Sequence, residues 1–205
     1  MGLISRPDSA DPPLAFLHLL ESPDDFDPED HELQHQRGCV FFSVPFAVSE
    51  DGRWQTMVDA GWHEHYAERP SLVLKSCNFW QFTYEITLLD TFGEFLPEST
   101  MNRDIAAEWL PPHSGSAVLD VVSRCYSYII RNFEPSLVYR VTNERNLTEE
   151  ALGKYHFLTD VIESEGYSVL VNDFDPEGRP FWLMVRNGFD VTEIVAEDET
   201  SGNWS

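Results

Sequence analysis

The sequence predicts an α+β protein in which a mostly antiparallel sheet packs against two or three helices, with an acidic arm at the N-terminus. Runs of aromatic and β-branched residues, separated by turn-forming residues, indicate strands. Stretches in the middle of the chain repeat apolar residues at helical spacing behind capping residues. Because strands precede and follow these helices, the order of elements favours the α+β class.

Residues 1–37 are the predicted arm, since five prolines interrupt them and nine acidic residues face only two arginines. Within the arm, residues 14–20 are expected to form a short apolar helix. A second short helix is predicted from Asp27, a capping residue followed by proline at the first helical position, to Gly38. The arm is therefore expected to be mostly irregular, with two short helices.

A single domain is predicted over residues 38–196, followed by an acidic tail over residues 197–205. The predicted strands cover residues 40–46, 54–58, 77–89, 138–141, 167–171, 181–185 and 189–195. The predicted helices cover residues 101–110 and 117–133 and the stretch between the capping Thr148 and Gly166. Turns rich in Asp, Asn and Gly are expected at residues 49–52, 173–178 and 187–188.

The charge of the chain is strongly one-sided, because 36 acidic residues face 13 basic ones and the formal net charge is -23. The 14 Phe, 7 Tyr and 6 Trp residues can fill a core, so the acidic excess is expected on the surface of a folded protein. A phosphate backbone or an anionic membrane would repel this surface, whereas a basic site on another protein would attract it. We therefore expect a basic, nucleic-acid-binding protein as the partner, and no direct binding to nucleic acid or membrane.

The sequence also predicts a soluble, cytoplasmic protein. The N-terminus lacks the apolar core of a signal peptide, and no run approaches the ~20 apolar residues of a membrane span. The three cysteines, Cys39, Cys77 and Cys125, are odd in number and form no C-x-x-C pair, which favours reduced thiols in a cytosol.

The pentapeptide HELQH in the arm matches the H-E-x-x-H pattern. On a helix, this pattern places two imidazoles one turn apart, with a carboxylate that can activate a zinc-bound water. Over these five residues the chain resembles the zincin family, and the resemblance implies zinc held by His31 and His35, with Glu32 as the general base. His63 or His65 could supply a third ligand. The alternative interpretation is a solvated polar helix, since charged residues flank the pentapeptide.

Other enzyme motifs are absent from the sequence, including the G-x-G-x-x-G, Walker and G-x-S-x-G patterns. We therefore expect a non-enzymatic protein that occupies a basic site on another macromolecule. By composition alone, the chain resembles DNA-mimic inhibitors of the anti-restriction and anti-CRISPR kind. The alternatives are an antitoxin-like neutraliser of a basic toxin, a generic acidic or halophilic domain, and the zinc hydrolase.

The expected contact residues are acids of the arm, acids of the predicted turn at residues 173–178, and a nearby aromatic residue. They are Asp24, Asp25, Asp27, Glu29, Asp30, Asp173, Asp175, Glu177 and Trp182.

Overall fold

The computed structural model describes residues 15–20, 25–36, 39–64, 79–142, 147 and 149–190. Over these residues the protein is α+β, with nine strands in a mixed, mostly antiparallel sheet and three α-helices, which confirms the predicted class. Residues 1–14 and 21–24 of the predicted arm, and the whole predicted tail, lie outside the described part of the chain.

The elements follow the chain in a simple order. They are β1 (Phe16–His18), a 3-10 turn (Pro28–Asp30), β2 (Gln34–Gln36), β3 (Cys39–Ser49), β4 (Trp54–Glu64), β5 (Phe79–Asp90), β6 (Glu98–Thr100), α1 (Arg103–Trp109), α2 (Gly115–Phe133), β7 (Leu137–Val141), α3 (Glu149–Ser164), β8 (Tyr167–Phe174) and β9 (Pro180–Arg186).

The strand order in the sheet is β1-β3-β4-β5-β7-β9-β8, while β2 also pairs with β3 and β6 with β5. Strands β5 and β7 run parallel. The pairs β1–β3, β2–β3, β5–β6, β7–β9 and β8–β9 are antiparallel. Strand β8 therefore lies at one edge of this order.

The chain forms two compact units. Of the described residues, those within Met1–Gly61 and Tyr84–Cys125 form one unit, and those within Trp62–Thr83 and Tyr126–Ser205 form the other. Strands β4 and β5 and helix α2 each contribute residues to both units.

The core of the first unit is built on β3, where buried apolar residues alternate with less buried ones over Val40–Phe46. This two-residue period is the one expected of a strand with one face in a core. Gly61 in β4 lies so close to β3 that a Cβ atom at this position would overlap with Phe41 and with the backbone of its neighbour. The close approach of the two strands therefore requires glycine.

The core of the second unit joins β7 to α3 through a buried arginine. Arg140 is 3% exposed, and its guanidinium donates hydrogen bonds to the Thr159 Oγ1 at 2.9 Å and to the Tyr155 carbonyl at 3.0 Å. Aromatic residues of this unit are also buried, and they include Trp62, Trp80, Phe82, Tyr126 and Trp182.

Tyr167 holds the beginning of β8 in place. Its buried hydroxyl donates a hydrogen bond to the Pro135 carbonyl at 2.5 Å. Burial raises the pKa of Tyr167 well above its usual value, because the phenolate would lose its hydration there. The neutral, hydrogen-bonded phenol is therefore the form that the fold selects.

The two helices predicted in the arm are wrong. Within the first predicted helix, Phe16–His18 form β1, which pairs antiparallel with β3. After Asp27 the helix lasts for one 3-10 turn only, and the chain then forms β2, which also pairs with β3. Isolated short helices are marginal in water, so pairing with a long neighbouring strand prevails in both segments.

One further prediction needs correction, and another falls mostly outside the described residues. Helix α1 begins behind Asn102 and not behind Thr100, because Thr100 belongs to β6 and pairs with Ile86 of β5. The last predicted strand, residues 189–195, falls mostly outside the described residues, and Phe189 and Asp190 are not in a strand.

Candidate functional site

An acidic segment, which we define as residues 25–32, is the strongest candidate site in the described part of the chain. Five of its eight residues are acidic, and all five are exposed: Asp25, Asp27, Glu29, Asp30 and Glu32. The segment contains no lysine or arginine, so carboxylates are its dominant charges.

Two apolar residues hold the acidic segment on the first unit. Phe26 is 0% exposed, and Pro28 is buried. The Phe26 ring contacts the His31 imidazole, with ring centroids 4.9 Å apart. The Arg124 Nη1 of α2 donates a hydrogen bond to the Phe26 carbonyl at 3.3 Å. The acidic residues beside these anchors are thereby attached at defined positions of the backbone.

Hydrogen bonds within the acidic segment fix its turn. Asp27 caps the 3-10 turn, because its carboxylate accepts a hydrogen bond from the Glu29 N–H at 3.0 Å. The N–H groups of Asp30 and His31 donate to the carbonyls of Asp27 and Pro28 at 3.0 and 3.2 Å. Asparagine caps a helical turn about as well as aspartate, so the charge of Asp27 can be removed while the cap is kept.

Arginines in the described ranges are largely engaged with other groups of the chain. Four of them form ion pairs: Arg53 with Asp90 and Glu94, Arg131 with Glu165, Arg179 with Asp175 and Glu177, and Arg186 with Glu134. Arg140 is buried, and Arg124 binds the acidic segment. The described ranges contain 26 acidic and 8 basic residues. Carboxylates therefore determine the sign of the surface field.

Two of the predicted contact residues, Asp175 and Glu177, lie in the turn between β8 and β9, and a third, Asp173, lies near the end of β8. Asp173 and Glu177 are exposed, but the Asp175 side chain is 2% exposed, and its Oδ2 lies 2.8 Å from the Arg179 Nη2. The N–H groups of Glu177 and Arg179 donate to the Asp175 Oδ1 at 2.9 Å each. Burial raises the pKa of Asp175, but these hydrogen bonds and the guanidinium outweigh that effect and hold the pKa below its usual value. Asp175 therefore shapes the turn and is not presented at its surface.

Trp182, which the sequence predicts as a contact residue, lies in the core of the second unit. It is 2% exposed and stacks on Tyr155, with ring centroids 5.9 Å apart. The Arg140 guanidinium lies 5.7 Å from the centroid of the Trp182 ring. Burial removes Trp182 from the surface that a partner would meet. Asp24, the remaining predicted contact residue, lies outside the described residues.

The HELQH pentapeptide does not form the helix that its zinc hypothesis requires. His31 follows the 3-10 turn with extended backbone angles, and His35 lies in β2, so the two imidazoles are not one helical turn apart. Glu32 is exposed between them, His63 belongs to β4, and His65 lies outside the described residues. Where the structure is described, no group of three His, Cys, Asp or Glu residues is placed to hold a metal ion.

Cys125 is a buried free thiol on α2. Burial raises the pKa of this thiol far above its usual value, since the thiolate would be unsolvated. Cys125 is therefore a packing residue.

Two contributors to the candidate site were missed from the sequence. Phe26 had a signal, because it is a large aromatic residue between aspartates and such a residue in an acidic stretch indicates an anchor. Arg124 had none, because its position in an apolar helix does not indicate that it binds a carbonyl of a distant segment.

The helices in the described ranges include none that is long and apolar enough to cross a membrane. No family model matches the chain, and no curated protein matches it either. Among solved structures, the chain is similar to one from Bordetella pertussis described as a GnaT-family acetyltransferase, with 13% identity and a TM-score of 0.31. The similarity covers 72% of this chain and 65% of that protein, which is less than two thirds of its length.

Proposed function

We propose that this protein is a non-enzymatic, cytoplasmic binding protein whose acidic surface occupies a basic site on another macromolecule. In its most specific form, the proposal is a DNA mimic that inhibits a nucleic-acid-binding protein, as anti-restriction and anti-CRISPR inhibitors do. The observation that supports it is the acidic segment, in which exposed carboxylates flank the buried anchors Phe26 and Pro28. A fixed array of negative charges can be recognised by shape as well as by sign.

Electrostatics favour such a partner for two reasons. Duplex DNA presents one negative charge per ~1.7 Å of helix axis, so a groove that binds DNA is lined with lysine and arginine. Steering by opposite charge accelerates association with such a groove and disfavours neutral or acidic surfaces. The acidic segment has five carboxylates over eight residues, a stretch of at most ~28 Å. This density is lower than that of duplex DNA, so other acids of the surface must contribute to a full imitation.

The antitoxin-like alternative belongs to the same binding class, and it differs only in the identity of the basic partner. A generic acidic or halophilic domain differs from the proposed binding protein in a measurable way. Its carboxylates need only be spread over the surface, and no particular group of them has to be held in a fixed arrangement. In that case any five exposed acids would be equivalent. A comparison of two sets of charge substitutions therefore separates the alternatives.

The experiment begins with affinity capture of the basic protein from the native host, followed by competition with duplex DNA. The test variant replaces the five acids of the acidic segment with asparagine or glutamine, which keeps the cap at Asp27. The control variant removes the same number of charges from exposed positions elsewhere, namely Glu50, Glu94, Asp104, Glu108 and Asp160.

We expect DNA to displace the captured protein and added salt to weaken the complex. At ~0.5 kcal/mol for each exposed charge contact, the test variant should lose about 2–3 kcal/mol, which is roughly fifty-fold in affinity. The control variant should lose only a small part of this. Equal losses in the two variants would contradict the proposed site, and a complex that resists both DNA and high salt would contradict the DNA-mimic proposal itself.

A further inference from the structure

Strand β8 is a long, exposed edge of the sheet. It pairs with β9 on one side, and it is the terminal strand in the order of the sheet. Seven of its eight residues are exposed, from Ser168 to Phe174. Four of the exposed side chains are large and apolar: Val169, Leu170, Val171 and Phe174.

Proteins usually protect such an edge against further pairing. Lysine, proline, a very short strand or a covering helix are the common devices, because an edge presents a row of N–H and C=O groups to any extended chain. Strand β8 has eight residues, contains neither lysine nor proline, and carries a single charged residue, Asp173. The one protective device that it carries is a shift of register, of the kind that a β-bulge makes, between Val169 and Val171, and beyond this shift the residues from Val171 to Phe174 pair with β9 without interruption. The edge therefore keeps the properties of a surface that binds an added strand.

The charges around β8 determine which kind of strand fits. Between Glu149 and Arg186 the sequence has eight acidic and three basic residues. The two arginines of the hairpin are bound to acids of the same unit, as described above. Two exposed acids lie near the ends of the strand in sequence. Glu163 precedes β8 at the end of α3, and Asp173 is the last residue but one of β8. Neither of these acids forms an ion pair with a described basic residue.

We propose that β8 accepts an extended segment of a positively charged partner as an additional strand of the sheet. Alternating apolar residues of that segment would cover the exposed side chains of β8, and lysines or arginines at its ends would meet the flanking acids. A second copy of this chain fits the edge less well, because it would bring two acidic hairpins together. The inference rests on a surface other than the acidic segment, so the two proposals stand or fall separately.

The probe is a fluorescent ten-residue peptide with two lysines at each end and alternating valine and threonine between them, measured by anisotropy with the full chain. Two further peptides carry the same side chains but are N-methylated on one or the other set of alternate amides. Because an added strand uses only one set of its amides to pair, one methylated peptide should lose binding and the other should retain it. A third peptide with glutamates in place of the lysines should not bind.

Substitution of the chain gives a second test. Leu170→Lys places a cation on the edge, and we expect it to weaken binding of the basic peptide about tenfold. The control is Phe157→Lys on α3, which has a similar exposure (39% against 44%) and should leave binding unchanged. Three results would overturn the proposal. The first is a loss of binding with both N-methylated peptides or with neither of them. The others are equal effects of the two lysine variants, and a concentration-dependent dimer that excludes the peptide.

Discussion

Replacement of Phe26 by alanine should destabilise the first unit and detach the acidic segment without a change in net charge. The Phe26 side chain is 0% exposed and contacts the His31 ring. Removal of a fully buried phenylalanine costs about 3–5 kcal/mol, and the ring contact contributes to that sum. We expect a loss of about 4 kcal/mol, which is a large fraction of the ~5–15 kcal/mol that stabilises a typical domain.

Urea unfolding, followed by circular dichroism and by tryptophan fluorescence, measures this loss. The matched control is Leu17→Ala, because Leu17 is 54% exposed and its truncation should change the free energy of unfolding by no more than ~0.5 kcal/mol. Affinity for the captured basic partner should fall in Phe26→Ala and remain in Leu17→Ala. A loss of stability below ~1 kcal/mol in Phe26→Ala would refute the anchoring of the acidic segment by Phe26.

Three other outcomes follow from the described packing and hydrogen bonds. Gly61→Ala should lower the free energy of unfolding by ~1–3 kcal/mol, because the added Cβ atom overlaps with β3. The Cβ atom of Gly153→Ala in α3 meets nothing within 4 Å, so this variant should be more stable by ~0.5–1 kcal/mol. Thermal melts in which both variants shift in the same direction would contradict this expectation. Tyr167→Phe should cost about 1–2 kcal/mol in urea unfolding, because a buried carbonyl loses its donor, and an equally stable variant would show that the hydrogen bond is not made. The lowered pKa of Asp175 contributes stability that is present above pH ~4 and is lost as the pH falls through the folded-state pKa. The destabilisation by Asp175→Asn should therefore shrink between pH 7 and pH 3, and a constant difference in unfolding free energy would exclude this linkage.

Elements with strong local patterns were predictable from the sequence. The alternation in β3 and the apolar face of α2 determine strand and helix within a few residues, and Asp27 caps a turn as its sequence indicates. The largest errors are in the arm, where Phe16–His18 and Gln34–Gln36 form strands that pair with β3. Such pairing depends on residues distant in the sequence, so local composition cannot reveal it.

The candidate site shows the same division between local and distant information. Four of the five exposed acids of the acidic segment, Asp25, Asp27, Glu29 and Asp30, were predicted from the sequence as contact residues, because charged residues rarely enter a core. The fifth, Glu32, was predicted only as the general base of the zinc hypothesis. The burial of Asp175 could not, since it depends on the way in which Arg179 and two N–H groups surround the carboxylate. Trp182 is buried because Arg140 and Tyr155 come from other elements to cover it. Sequence thus identifies charge and polarity, while long-range contacts decide which groups are presented.

The pairing of four arginines with acids of their own chain leaves few cations to offset the self-repulsion of the remaining carboxylates. This repulsion lowers the free energy of unfolding, and dissolved ions weaken it. Conformational stability should therefore increase with ionic strength, even though each ion pair weakens, because a chain with 36 acidic and 13 basic residues has more like-charge pairs than opposite-charge pairs. A bound polycation would act in the same direction, so that association and folding would reinforce each other.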